Sequence, residues 1–347
     1  MRSAIPQGDA PPGCEDATKR YQALGGPILA PVMPLDPNHT AFLFPGQGSQ
    51  KVGMGKDLAA ADAPARAVFA EADEILGYSL SRLCWDGPAE ELNDTAVTQP
   101  ALLTHSVAVL RALEARQPGL APAVVAGHSL GEFSALVAAG ALDFAPALRL
   151  VQQRGRLMKE AGQRNPGGMA AVLGLDVEQI DTICRAVEAE SGGVVQVAND
   201  NCPGQVVISG DEAALATAMK RLAAAGAKRT IRLAVSIAAH SALMSPASAP
   251  FGQRVDEAGV RDPVLAVVGN VGAQVLRDAA GLRADVKAQL TSRVRWTESV
   301  RRMIAEGTQS FAEIGTGDVL IGLLRRIDRT PSLTALDLPE TLDAFLA

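Results

Sequence analysis

The sequence predicts an α/β fold in which a parallel sheet, covered by helices on both faces, carries an inserted ferredoxin-like unit. Three observations lead there. Short apolar runs alternate with helical patterns at both ends of the chain, and that alternation builds parallel sheets. A middle stretch orders its elements βαββαβ instead, the ferredoxin-like sequence of elements. Residues 127–132, Gly-His-Ser-Leu-Gly-Glu, follow the apolar run Ala121 to Ala126, so a buried strand there turns sharply into a helix.

Taken in order, residues 1–38 stand apart. Seven prolines fall in them, with no clear periodicity, and they read as an extended leader with a short helix over Asp16–Leu24. Thr40-Ala-Phe-Leu-Phe is a buried strand ended by Pro45-Gly46. Helical patterns cover 63–76 and 99–115. The 121–126 strand, the serine turn and a helix to Ala139 follow, and Asp143 can cap a helix over 145–161. The insert reads as strand 169–173, helix 177–189, strands 194–198 and 205–209, helix 213–225 and strand 229–235. Strands at 264–268 and 310–314 and a helix at 318–327 resume the alternation. The chain therefore divides into a leader (1–38), a large α/β domain (39–165 and 236–347) and an inserted domain (166–235).

Composition excludes several functions. With 347 residues, 48% of them apolar and only 3% aromatic, the chain can bury a large core built from aliphatics. A net charge of −6 argues against nucleic acid as the partner. The four cysteines, Cys14, Cys84, Cys184 and Cys202, form no Cys-x-x-Cys pair, which argues for a reducing compartment and against a disulfide framework or zinc site. No apolar run reaches membrane-spanning length, and no secretory signal stands at the N-terminus. A cytoplasmic protein is expected.

The serine turn carries chemistry. Glycines flank Ser129 because so tight a turn leaves no room for side chains. The turn presents the hydroxyl above the sheet and leaves the Leu130 N–H free at a helix N-terminus, where negative charge is favoured. That is a nucleophile and one oxyanion donor for acyl transfer. A free serine needs a base. Of the four histidines, His39 falls at the leader, His105 sits inside an apolar helix, and His128 lies on the buried side of the turn with its ring directed away from the hydroxyl. His240, at the exit from the insert, remains as the base. A second oxyanion donor is expected from the Phe44–Gln50 loop, where glycine allows close backbone approach. That loop by itself also reads as a phosphate cradle or a plain turn. Arg154, one helix downstream, can grip a carboxylate bidentately or can be an ordinary surface arginine.

Together these pieces resemble the malonyl-CoA:acyl-carrier-protein transacylases of fatty acid and polyketide synthesis. The resemblance runs from about Ala41 to the C-terminus. Its landmarks are Phe44-Pro-Gly-Gln-Gly-Ser-Gln-Lys-Val-Gly-Met-Gly, Thr98-Gln-Pro-Ala-Leu, Gly127-His-Ser-Leu-Gly-Glu, Asn201-Cys-Pro-Gly-Gln-Val-Val-Ile-Ser-Gly, Val294-Arg-Trp and Glu313-Ile-Gly-Thr-Gly. The resemblance implies an α/β-hydrolase-like large domain with the active site in the cleft beside the insert. It implies Ser129 as nucleophile, His240 as base, the backbone N–H groups of Gln47 and Leu130 as oxyanion hole, and the Gln289 carbonyl orienting His240 in place of an acid. It implies Arg154 as the partner of the malonyl carboxylate. Gln99 and Asn201 match polar residues near the pocket, and His128 joins them in the expected substrate-binding set. No cofactor or metal is implied. The implied partners are malonyl-CoA and an acyl carrier protein, with the enzyme itself a monomer. Two departures stand out: the long leader, and a small residue, Ala239, before His240, which leaves room for an α-substituted malonyl group. A thioesterase using the same serine, and a non-catalytic carrier-binding domain, are the rival functions.

Overall fold

Strand β1 (Thr40–Phe44) shows why this chain layers as it does. All five of its residues are buried, and they alternate between two cores: Phe42 and Phe44 enter one apolar cluster, Ala41 and Leu43 the other. Strand β2 (Val124–Gly127) repeats the split, with Val125 on one side and Val124 and Ala126 on the other. A period of two that is apolar on both faces makes a central strand buried between two helix layers. The fully buried Phe44, Phe133 and Phe251 each contribute about 1.5–3 kcal/mol of transfer free energy. The computed structural model describes residues 36–235 and 237–347. Most of the predicted leader, and the helix expected at 16–24, therefore lie outside the described residues.

In chain order the remaining strands are β3 (Gly167–Leu173), β4 (Val195–Cys202), β5 (Gln205–Asp211), β6 (Arg229–Arg232), β7 (Ala266–Val268), β8 (Val275–Leu276), β9 (Ser310–Ile314) and β10 (Ser332–Leu336). The large sheet has the order β10-β9-β1-β2-β7-β8, parallel except for the antiparallel β7–β8 pair. The small sheet is antiparallel with the order β4-β5-β3-β6. Helices Val177–Ser191 and Glu212–Ala224 close its apolar face, where Ile180, Cys184, Leu215 and Leu222 pack against Val172, Val197 and Ile208. This is the ferredoxin-like arrangement that the order βαββαβ predicts.

Element positions differ from expectation at several places, each for a local reason. The 121–126 strand begins only at Val124, because Pro122 has no N–H and the chain joins β1 through Ala123 N–H to Thr40 O. Asp143 does stand before the helix Phe144–Arg164, but its side chain makes no cap. It is held in a fork by the Arg261 guanidinium at 2.6 and 3.0 Å. Strand β6 ends at Arg232 instead of Val235. The stretch 245–305, where the sequence pattern marked one strand, also holds helices Ser245–Glu257, Ala279–Ala288 and Trp296–Ala305. Pro246 and Pro250 obscure the first of these. Pro246 lies in its first turn, where a missing N–H costs little, whereas Pro250 stands inside the helix and removes one of its i→i−4 bonds.

Loops leaving the C-terminal ends of β1, β2 and β7 converge, as expected for a ligand site in an open parallel sheet. Among the described residues no helix is long and apolar enough to cross a membrane.

Candidate active site

The strand-to-helix turn is as tight as the glycines require. A Cβ on Gly127 would fall 1.9 Å from the Gly131 carbonyl carbon, and one on Gly131 would fall 2.0 Å from Phe44 O. Between them Ser129 takes a left-handed backbone, φ 50°, which is strained for any residue with a side chain. Asn270, just beyond β7, holds that strain in place. Its Oδ1 accepts from Ser129 N–H at 2.7 Å and its Nδ2 donates to Gly127 O at 2.7 Å.

The Ser129 hydroxyl donates to His240 Nε2 at 2.8 Å, and His240 Nδ1–H donates to the backbone carbonyl of Gln289 at 2.8 Å. The carbonyl fixes the tautomer, so Nε2 is the unprotonated nitrogen facing the Ser129 hydroxyl. Burial, reinforced by the Arg154 charge, pushes His240 down to about 3. The imidazole is therefore neutral at neutral pH.

Arg154 points inward from the helix Phe144–Arg164 and is 1% exposed. Its Nη1 donates to Gln99 Oε1 at 3.0 Å, and its Nη2 donates to Gln289 Oε1 at 2.6 Å and to Ser129 Oγ at 3.2 Å. Its guanidinium carbon lies 5.6 Å from the centre of the Phe133 ring, and Nε has no partner among the described residues. Burial lowers it to about 10, which leaves it charged at neutral pH. Every hydrogen-bond acceptor around this cation is neutral. The acid nearby, Glu132, is fully buried, and burial with the Asp285 charge holds it well above the usual carboxylate range.

Loop 45–50 packs directly on the turn, since a Cβ on Gly46 would lie 2.3 Å from His128 O. The Gln47 side chain is tied back to Thr95 Oγ1 at 3.1 Å. Neither the Gln47 N–H nor the Leu130 N–H is engaged by another group among the described residues. His128 and Asn201 form a pair of their own, with Nε2–H donating to Asn201 Oδ1 at 2.8 Å and the His128 ring edge-on to Trp296. The His128 ring thus turns away from the hydroxyl. His240 lines a cleft of ≈ 490 Å³ together with Val197, Thr291, Arg293 and Arg295. No group of three His, Cys, Asp or Glu able to hold a metal occurs among the described residues.

Ser129, His240, Gln289, Arg154 and Gln99 therefore meet in one cluster, while His128 and Asn201 stand beside it. Sequence reasoning missed Asn270, Asp285 and the part played by Glu132. Asn270 was within reach, because it follows a short strand whose C-terminal end borders the serine loop. Glu132 lies in the serine motif itself, but nothing in the motif shows what a side chain facing the core will meet.

An activated hydroxyl beside two idle backbone donors is an acyl-transferring arrangement, and the fold around it is that of the acyltransferases. The chain belongs to the acyl transferase domain family, which matches residues 41–330. It is 47% identical over 306 residues to the malonyl CoA-acyl carrier protein transacylase of Escherichia coli K12, covering 88% of this chain and 98% of that one. The Bacillus subtilis transacylase of the same name is 46% identical over 303 residues, covering 87% and 95%. Among solved structures, a malonyl-transacylase in complex with its type II PKS acyl-carrier protein superposes with TM-score 0.86 at 45% identity, covering 89% of this chain and 99% of that one. An acyl carrier protein S-malonyltransferase from Vibrio cholerae gives 0.85 at 44% identity, covering 88% and 99%.

Proposed function

We propose that this enzyme moves a malonyl group from malonyl-CoA to the phosphopantetheine thiol of an acyl carrier protein, through an acyl-enzyme on Ser129. The observation that carries the substrate class is the Arg154 cation, buried beside the nucleophile with only neutral acceptors around it. A buried charge without a counter-ion is unfavourable, and a substrate carboxylate supplies one.

In the proposed sequence the malonyl carboxylate pairs with Arg154. His240 Nε2 takes the Ser129 proton as Oγ attacks the thioester carbonyl, and the oxyanion is held by the N–H groups of Gln47 and Leu130. The C–S bond then breaks, and His240 returns its proton to the CoA thiolate. The carrier thiol enters by the same cleft. His240 removes its proton, the thiolate attacks the Ser129 ester, and Oγ leaves with the proton. Gln289 contributes twice: its carbonyl orients His240 and its side chain steadies Arg154. Gln99 shares the second task, and His128 with Asn201, joined by their own hydrogen bond, flanks the serine turn on the substrate side in this reading. Ala239, small and buried, supports tolerance of an α-substituent beside the base.

We also propose the division into a large domain, 39–165 and 236–347, and an insert, 166–235, preceded by the leader 1–38. A cytoplasmic location is proposed on the cysteine usage.

Intact-protein mass spectrometry tests the function. Malonyl-CoA should add one malonyl unit, Ser129→Ala should abolish the addition, and an acyl carrier protein should discharge the adduct much faster than water does. Labelling that persists in the alanine variant removes Ser129 as nucleophile. Equal decay with and without carrier protein makes the enzyme a hydrolase.

A further inference from the structure

Beneath the serine turn lies a buried acid that the proposed mechanism does not use. Glu132, in the first turn of the helix Gly131–Ala138, is 0% exposed. Its Oε2 is 2.5 Å from Gln289 Nε2. Its Oε1 meets no N–H or O–H donor among the described residues, and the carboxyl group within hydrogen-bonding reach is that of Asp285. Asp285 in turn accepts the backbone N–H bonds of Asn270 at 2.9 Å and Val271 at 3.2 Å. Two carboxyl groups facing each other repel unless one is protonated. Asp285 spends its oxygens accepting those backbone N–H bonds, whereas Glu132 Oε1 has no donor, so the O–H that joins the two carboxyl groups is placed on Glu132. Burial raises Glu132 in the same sense, with Asp285 opposing its ionisation and Arg154 the cation that favours it.

We infer that Glu132 is a positioning residue acting as a neutral carboxylic acid, donating its O–H to Asp285 and accepting from Gln289 Nε2, and that it thereby locks the Gln289 amide toward Arg154. That amide has no spare valence. Its two N–H groups go to Glu132 Oε2 and, at 3.0 Å, to Ser129 O, while its Oε1 takes Arg154 Nη2. A flipped amide would set donor against donor at Arg154 and acceptor against acceptor at Ser129 O. Because Glu132 is neutral, it fixes this geometry without neutralising the guanidinium, and the full charge of Arg154 stays available to the substrate. The effect on substrate choice rests on the reading of Arg154 as the carboxylate grip; the protonation of Glu132 does not.

Glutamine has the shape and bonding pattern of a neutral glutamic acid, so it can donate to Asp285 and accept from Gln289. Glu132→Ala should raise KM for malonyl-CoA and lower kcat/KM about 10–100-fold, the cost of one lost buried hydrogen-bond partner. Acetyl-CoA should be affected less, and Glu132→Gln should recover most of the loss. The infrared spectrum of the wild-type enzyme at neutral pH should show a protonated-carboxyl band that Glu132→Gln removes. A Glu132→Gln enzyme as impaired as the alanine variant means that an ionised Glu132 is required, and overturns the inference. Wild-type kinetics in both variants, or no such band, overturns it too. If the alanine variant fails to fold, the glutamine variant and the infrared band still decide. Failure of wild-type enzyme to form a malonyl adduct would instead remove the proposed function and leave the infrared result standing.

Discussion

Replacing Arg154 by alanine tests the substrate class. The guanidinium is 1% exposed and sits 3.2 Å from Ser129 Oγ, so a malonyl carboxylate that reaches it leaves water. Without the arginine that carboxylate is buried and unpaired, at a cost of about 3–5 kcal/mol. At about 1.36 kcal/mol per decade, malonyl kcat/KM should fall about 10²–10⁴-fold. Acetyl-CoA brings no charge and should lose little. The mutation has side effects: Gln99 Oε1 and Gln289 Oε1 lose their donor, and His240 loses a neighbouring cation that depresses its pKa. Both effects act on either substrate alike, so the malonyl-to-acetyl ratio of kcat/KM isolates the carboxylate contact. Carrier-protein acylation followed by mass spectrometry measures both rates. Arg154→Lys keeps the charge but not the fork and should fall between. If Arg154→Ala slows malonyl and acetyl transfer equally, the arginine only supports the fold, and the reasoning from an uncompensated buried cation is wrong.

Other outcomes are expected from the same geometry. His240, held at about 3, should keep the acid limb of kcat/KM well below 6.5; a midpoint near 6.5 in single-turnover acylation contradicts the depression by burial. Its sign for stability follows: the unfolded chain takes the proton first, so the contribution is complete above 6.5 and is lost as pH falls from 6.5 toward 3, which chemical denaturation across that window can follow. Asn270→Ala removes both clamps on the strained serine, so acylation should slow about 10²-fold or more with little change in KM, and an unchanged rate would show that the turn holds itself.

Much of this was readable from residue order. The doubly apolar β1 and β2 could only be central strands, and Gly127 and Gly131 could only serve a turn that excludes side chains. The order βαββαβ specified the small sheet. Local signals misled where tertiary partners compete, as when Arg261, 118 positions away, takes the Asp143 side chain from its helix. They also faded where prolines interrupt the pattern, as in the helix at 245–257.

By itself, then, the sequence determined the turn that presents Ser129, the alternation that builds the parallel sheet, and a histidine short-list of which His240 was the remainder. Those follow from steric and periodic rules acting over a few residues. Only the tertiary structure decided that the Arg154 charge is buried with neutral acceptors, that the Gln289 side chain spans Arg154, Glu132 and Ser129 O, and that Asn270 braces the strained serine. Each of these depends on groups tens to more than a hundred positions apart. Their protonation states depend on the burial and neighbouring charges that folding creates, and no local pattern of residues encodes either.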